Sequence, residues 1–290
     1  MGAVIEVTHF SDPGCPWAYS AAPAHTTLRW RYGDGLRWTL VMIGLTEDAA
    51  QYAARGYTPT GSALGYSRFR RFGMPFQITP KASLSATAPA CRAIVATRLF
   101  EPEFEDAALR ALQLAQFTTT GTLQDTETLR TALAGLDADG VVDRIDDPEV
   151  VAAYEADRAR ARAAAGSPTE AQGRAANTDG AVRYTAPSLI FEGPDGRRLE
   201  AGGFQPIEAY DVVIANLEPG LERRPPADDP VAVLSAFPYP LTTAEVAAVM
   251  TEHLGEPDVN ATEAALIAAT GDGRVERRPA GDGSVWRLAA

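Results

Sequence analysis

SDPGCPWAYS, residues 11–20, is the stretch from which the rest of the chain is read. Before it, residues 4–10 carry Val4, Ile5, Val7 and Phe10 in a pattern that predicts a strand. Ser11-Asp12-Pro13-Gly14 breaks that strand. Pro16 follows at a place where a helix tolerates proline, because the first N–H groups of a helix have no partner to lose. The spacing predicts a helix over 16–32, ended by Gly33-Asp34-Gly35, and a second strand over 36–43, LRWTLVMI. Strand, helix and strand in this order imply a right-handed crossover and parallel pairing. Cys15 then falls at the helix N-cap, where unpaired N–H groups and the positive dipole end favour a thiolate. The expectation is a nucleophile with a lowered pKa. The competing reading of the same residue is a small side chain buried in a tight turn.

Further along, helical spacing is predicted over 85–99, 104–117, 126–136 and 148–165, with Asp125 and Asp147 placed as N-caps. Strand character returns at SLIF, residues 188–191. A turn at Gly193-Pro194-Asp195-Gly196, a short strand near Leu199 and a helix over 207–217 follow. The order βαβ, helices, ββα is that of a small α/β domain holding a helical insertion. Residues 218–230, EPGLERRPPADDP, form a Pro-rich linker. Helices are expected over 231–237, 243–254 and 261–270, the last two opened by the capping-box pairs Thr242/Glu245 and Asn260/Glu263. Residues 275–278 and 285–288 flank the turn Ala280-Gly281-Asp282-Gly283. Helices followed by a hairpin are in winged-helix order.

The chain of 290 residues has 38 acidic against 26 basic side chains, a formal charge of −12. That balance argues against nucleic acid as a partner. Residues 228–290 are themselves acidic, with ten carboxylates and four arginines, so this module is expected to act by packing, as a cap or in a homodimer, and not on DNA. No signal peptide and no membrane span are read, and two cysteines, Cys15 and Cys91, fit a reducing cytoplasmic compartment. Neither they nor His9, His25 and His253 show metal-ligand spacing, so no metal is expected.

CPWAY followed by a helix, with ACRAIVATRLF, LRALQLAQFTTTGTLQDTETL and TAPSLIF in that order, resembles the DsbA family of thioredoxin-fold proteins, in particular its FrnE-like branch. The resemblance covers roughly residues 3–217. It implies an α/β thioredoxin fold over residues 1–217 with a large all-helical insertion at about 47–180, followed by the linker and a small winged-helix-like domain at 231–290. It also implies thiol–disulfide oxidoreductase activity with Cys15 as nucleophile. Pro16, Trp17 and Ala18 would shape the site, while the backbone of Ala186 and a cis Pro187 would hold a substrate or small thiol. The departure is Ala18, where the family carries a second cysteine that releases the mixed disulfide.

Three readings follow. In one, Cys15 works alone, no cofactor is bound covalently, and an external low-molecular-weight thiol is the co-substrate. In another, the site is similar to the kappa-class glutathione transferases and 2-hydroxychromene-2-carboxylate isomerases, with Ser-Pro-Tyr at the matching place, and Cys15 assists a bound thiol. In the third, catalysis is lost and the domain is an interaction scaffold. His9, near the end of the first strand, is a candidate base or orienting group. His25 lies about 15 Å along the helix from Cys15, too far for contact. Arg68, Arg70 and Arg71 are candidates for an anionic cofactor, or simply a solvated face. Cys91 would serve as a distant resolving thiol only with its Cα within about 7 Å of that of Cys15, and its apolar neighbours favour a structural role.

Overall fold

The structure, a computed structural model, describes residues 4–136 and 139–289; the expected outer limits at residues 1 and 290 lie outside them. Strand β1 (Ile5–Ser11) leads through Cys15 into helices α1 (Pro16–Ser20) and α2 (Ala22–Tyr32), and strand β2 (Leu36–Met42) pairs with β1 in parallel, Ile5 opposite Leu36. The single helix expected over 16–32 is thus two. Pro23 has no N–H to return to the Tyr19 carbonyl, and the chain breaks at Ala21.

Among the described residues seven α-helices follow: α3 (Ala49–Ala54), α4 (Pro59–Phe69), α5 (Ala88–Phe100), α6 (Glu105–Thr118), α7 (Thr126–Leu133), α8 (Pro148–Ala161) and α9 (Pro168–Ala171). The long ones share a core of Ala90, Ile94, Leu112, Leu129, Leu133, Val150 and Tyr154. Asp125 caps α7 as expected, accepting from the N–H groups of Glu127 and Thr128. Asp147 stands at the N-cap of α8 but its side chain does not cap; it takes the Arg144 guanidinium instead. On α8, Asp157 accepts the Met42 N–H at 2.8 Å and two Arg98 contacts, which ties the insertion to the open side of β2.

After a short ribbon of β3 (Ala175–Ala176) and β4 (Arg183–Tyr184), strands β5 (Ser188–Glu192) and β6 (Arg198–Gly202) complete a sheet of order β2-β1-β5-β6, and α10 (Ile207–Leu217) closes one face. Strand β5 runs antiparallel to β1 with Ser188 opposite Phe10. That register delivers the Ala186–Pro187 peptide, which is cis, to the carboxyl end of β1, where Cys15 sits. One face of the sheet packs Ile5, Val7, Leu189 and Phe191 against Leu28 of α2 and Tyr210 and Ile214 of α10. This is a thioredoxin-like α/β fold with an added helical region.

The C-terminal segment contains α11 (Pro230–Ser235), β7 (Leu241–Thr242), α12 (Thr243–Met250), α13 (Val259–Gly271), β8 (Val275–Ala280) and β9 (Gly283–Leu288), with a three-stranded sheet of order β7-β9-β8. Thr242 and Glu245 form the expected capping box; α13 is capped by Asp258, which accepts from Ala261 N–H at 2.8 Å, and starts before Asn260. The segment is anchored to the rest of the chain. Trp30 of α2 sits in its core beside Val233, Leu234, Val246 and Trp286. The stretch 218–230 lacks regular structure but is fastened down: Arg224 N–H donates to the Arg31 carbonyl at 2.7 Å, and Trp30 Nε1 donates to the Pro225 carbonyl at 2.8 Å. Glu245, 1% exposed, accepts from Thr26 Oγ1 and pairs with Arg110 of α6. At the hairpin tip Gly281 has φ 55°, and a Cβ there would lie 2.6 Å from the Phe76 backbone, so glycine is required.

Candidate functional site

Asp12 organises the loop that carries Cys15. Its side chain is fully buried and accepts from the N–H groups of Gly14 and Leu45, both at 2.8 Å, from Thr87 Oγ1 at 3.0 Å and from Cys91 Sγ at 3.5 Å. Burial nevertheless pushes its pKa upward. Thr87, at the start of α5, closes on this loop so tightly that a Cβ on Gly14 would lie 2.4 Å from its methyl group. Asp12 and Thr87 therefore bind the strand end, the insertion and the cysteine loop together. In the sequence Asp12 is legible only as part of a strand-breaking turn, because its partners lie up to 79 residues away.

Cys15 is the N-cap of α1, with φ −89° and ψ 115°, and its carbonyl accepts the Tyr19 N–H. Its Sγ donates to the Ala186 carbonyl at 3.1 Å, just before the cis Pro187. The structure thus brings Cys15, Ala186 and Pro187 together. It does not supply the expected lowering of the thiol pKa. Burial pushes Cys15 up from 9.0 to about 12; hydrogen bonds from the Ala18 and Trp17 backbone oppose this, and Asp12 adds to it. The magnitudes explain the correction. A helix N-terminus contributes about 0.3–1 kcal/mol, and α1 is only five residues long. The net rise from 9.0 to about 12 corresponds to roughly 4 kcal/mol, with burial its largest cause. Cys15 is 7% exposed, and burial wins.

Trp17 is 41% exposed and stands at the rim, its ring 4.8 Å from Phe69, 5.6 Å from Phe72 and 5.5 Å from Phe204. These contacts close the insertion onto the loop after β6. Ala18 is 3% exposed and borders a second, separate void of about 50 Å³ together with His9, His25 and Arg110. His9 and His25 stack edge to face at 4.7 Å, and burial holds both well below the usual histidine range. His9 therefore faces that void with the α2 side of the sheet, and it does not line the cavity over Cys15. Cys91 is fully buried and, like Cys15, a free thiol.

Above Cys15 lies a cavity of about 390 Å³. Gly14, Cys15, Pro16 and Trp17 form its floor, and Tyr52, Tyr57 and Tyr66 of the α3–α4 region form its wall. The size is that of a small-molecule site. Three cations line it, Arg55, Lys81 and Arg183, and no Asp or Glu does so among the described residues. Arg68, Arg70 and Arg71 are elsewhere: none lines the cavity, Arg70 pairs with Asp282, and Arg71 lies over Phe72. Lys81, the chain's one lysine, donates to the Gly121 carbonyl, and burial draws its pKa down to about 8. No cluster of three or more His, Cys, Asp or Glu side chains suited to a metal occurs among the described residues, and no helix there is long and apolar enough to cross a membrane.

Solved structures share this fold. A protein disulfide isomerase-like protein from Nitrosomonas europaea is 19% identical with a TM-score of 0.55, over 73% of this chain and 97% of its own. The cytosolic disulfide reductase DsbM from Pseudomonas aeruginosa is 17% identical with a TM-score of 0.53, over 74% and 100%. A structure of that reductase with GSH gives 16% and 0.51, over 73% and 98%. At such identities the likeness establishes the fold. No family model matches the chain, and no curated protein matches it.

Proposed function

We propose that this protein is a thiol–disulfide oxidoreductase for small molecules, in which Cys15 works as a single sulfur in the reducing direction. The observation that carries the reading is the burial of Cys15, 7% exposed, at the floor of a 390 Å³ cavity. A disulfide in a folded protein does not reach such a sulfur, while a low-molecular-weight disulfide does. The neighbouring fold of a cytosolic disulfide reductase, solved also with GSH, supports the same class of chemistry.

The steps are thiol–disulfide exchange. The Cys15 thiolate attacks one sulfur of R–S–S–R, a bond forms from Sγ to that sulfur, the original S–S bond breaks, and RS⁻ leaves and takes up a proton. Ala18 provides no internal thiol, so an external thiolate R′S⁻ attacks the R sulfur of the adduct. It forms R–S–S–R′ and releases the Cys15 thiolate, which is reprotonated. The raised pKa sets the direction. DsbA-type oxidants owe their potential to a stabilised thiolate; burial destabilises that of Cys15, which makes it a reducing sulfur and a poor leaving group. Attack is slowed and not abolished: nucleophilicity rises with pKa less steeply than the thiolate fraction falls, which leaves Cys15 roughly 30-fold slower than a free thiol near neutral pH.

The same raised pKa favours a second reading. A neutral Cys15 thiol is a hydrogen-bond donor, and a bound thiol cofactor would take the bond now made to Ala186, as an isomerase or transferase of the kappa-class type would use it. Cys15→Ser separates the two. Loss of reduction of small disulfides in that variant supports nucleophilic exchange; retained activity, with a hydroxyl as donor, overturns it.

A further inference from the structure

Most carboxylates of this acidic chain are placed against arginines, yet the three cations of the cavity are held by neutral oxygens. Arg183, 6% exposed, donates to the Tyr184 carbonyl and to Thr178 Oγ1, each at 3.1 Å. Arg55 donates to the Thr178 carbonyl at 3.3 Å. One residue, Thr178, thus holds two guanidinium groups side by side. The nearby Asp179 is engaged by Arg162. Lys81 is anchored separately, at Gly121 in the loop between α6 and α7. No ion pair within 4.0 Å involves Arg55, Lys81 or Arg183 among the described residues. Asp179 and the buried Asp12 act on Arg183 only from a distance, and in a chain of net charge −12 an acid-free cavity lining with three cations outside any close ion pair, at two anchor points, is a feature of recognition.

We propose that the cavity binds a small disulfide or thiol carrying at least two acid groups, one held by the Arg55–Arg183 pair and the other by Lys81, with its sulfur directed to Cys15. This rests on the small-molecule reading above and names the substrate class. The acid groups are carboxylates or phosphates, and the probes tell them apart: oxidised glutathione carries carboxylates, coenzyme A disulfide carries phosphates, and hydroxyethyl disulfide is neutral. The burial that lowers Lys81 predicts that affinity for an acidic ligand falls as pH rises through about 8.

Binding is measured by calorimetry on the full-length Cys15→Ser variant, which cannot exchange. Because Lys81 is the only lysine, amine acetylation followed by peptide mass analysis reads it alone beside the amino terminus. The expected result is that one acidic probe binds and protects Lys81, that Lys81→Met weakens that probe at least about tenfold, and that hydroxyethyl disulfide is unaffected. Equal affinity for the neutral disulfide, or unchanged acidic-probe affinity in Lys81→Met, would overturn the proposal. Acidic binding with Lys81 protected but no adduct on wild-type Cys15 sinks the exchange reading and leaves this one standing. Adducts formed equally from neutral and acidic disulfides do the reverse.

Discussion

Replacing Ala18 by cysteine restores the sulfur that the motif lacks, and the geometry states what should follow. Residues 15 and 18 stand three apart at the start of α1, so helix geometry places their Cα atoms about 5 Å apart. That is inside the disulfide range of roughly 4.4–6.8 Å. Ala18 is 3% exposed but borders the void of about 50 Å³ shared with His9 and Arg110, which has room for one sulfur atom. The overpacking cost should therefore stay at the low end of the usual range, about 1 kcal/mol. In the wild type, an adduct on Cys15 waits for an external thiol, and its sulfur leaves poorly. In Ala18→Cys a neighbouring thiol is fixed at an effective concentration far above the millimolar range, so the adduct should decay at least about a hundredfold faster. The assay is intact mass after exposure to oxidised glutathione. Wild type should hold one glutathionyl group; the variant should lose it and finish two hydrogens lighter, as an internal disulfide. An adduct equally long-lived in both proteins, with the variant folded, would refute the reasoning.

Three other outcomes are expected. Iodoacetamide alkylation of Cys15 should keep accelerating beyond pH 9 toward the pKa of about 12, and at pH 8 should run roughly 30-fold slower than free cysteine once higher intrinsic nucleophilicity is counted; a plateau below pH 8 would contradict the burial argument. Glu245→Ala leaves Arg110 buried without its counter-charge and removes the Thr242 capping box, so denaturant unfolding should show a loss of about 3–5 kcal/mol, and a loss under 1 would show that the junction matters little. Asp12→Asn turns one acceptor oxygen into a donor facing the Leu45 N–H and Thr87, and should cost about 2–4 kcal/mol in thermal or denaturant unfolding, with Cys15 more rapidly alkylated as its loop loosens; unchanged stability and alkylation would sink that role.

Much of the fold was legible because its signals are local. Period-two apolar spacing around Val7 and Leu40, the turn at Gly193–Gly196 and the Thr242/Glu245 box each act within a few residues. Helix α4 was not, since Gly61, Ser62 and Gly65 are poor helix formers; it stands through its Thr58 cap, Pro59 at its first turn and the contacts of Tyr66 and Phe69. The position of Cys15 beside Pro187 was readable through resemblance, and the β1–β5 register accounts for it. The state of its thiol was not readable, because desolvation depends on α3, α4 and the loop at Thr87 closing over it. The cations of the cavity come from positions 55, 81 and 183, and only tertiary folding sets them around one cavity. The arginine run at 68–71 is prominent in the sequence but lies outside that cavity.

The most direct test gives Cys15 a choice of partner. The protein is exposed in parallel to an acidic small disulfide and to a folded protein bearing an accessible disulfide, and mixed disulfides are counted by intact mass with Cys15→Ser as control. The account predicts one small-molecule adduct on Cys15, absent from the variant, and no crosslink to the protein disulfide. A crosslink through Cys15, or an unmodified Cys15 in the presence of every small disulfide tried, would contradict it.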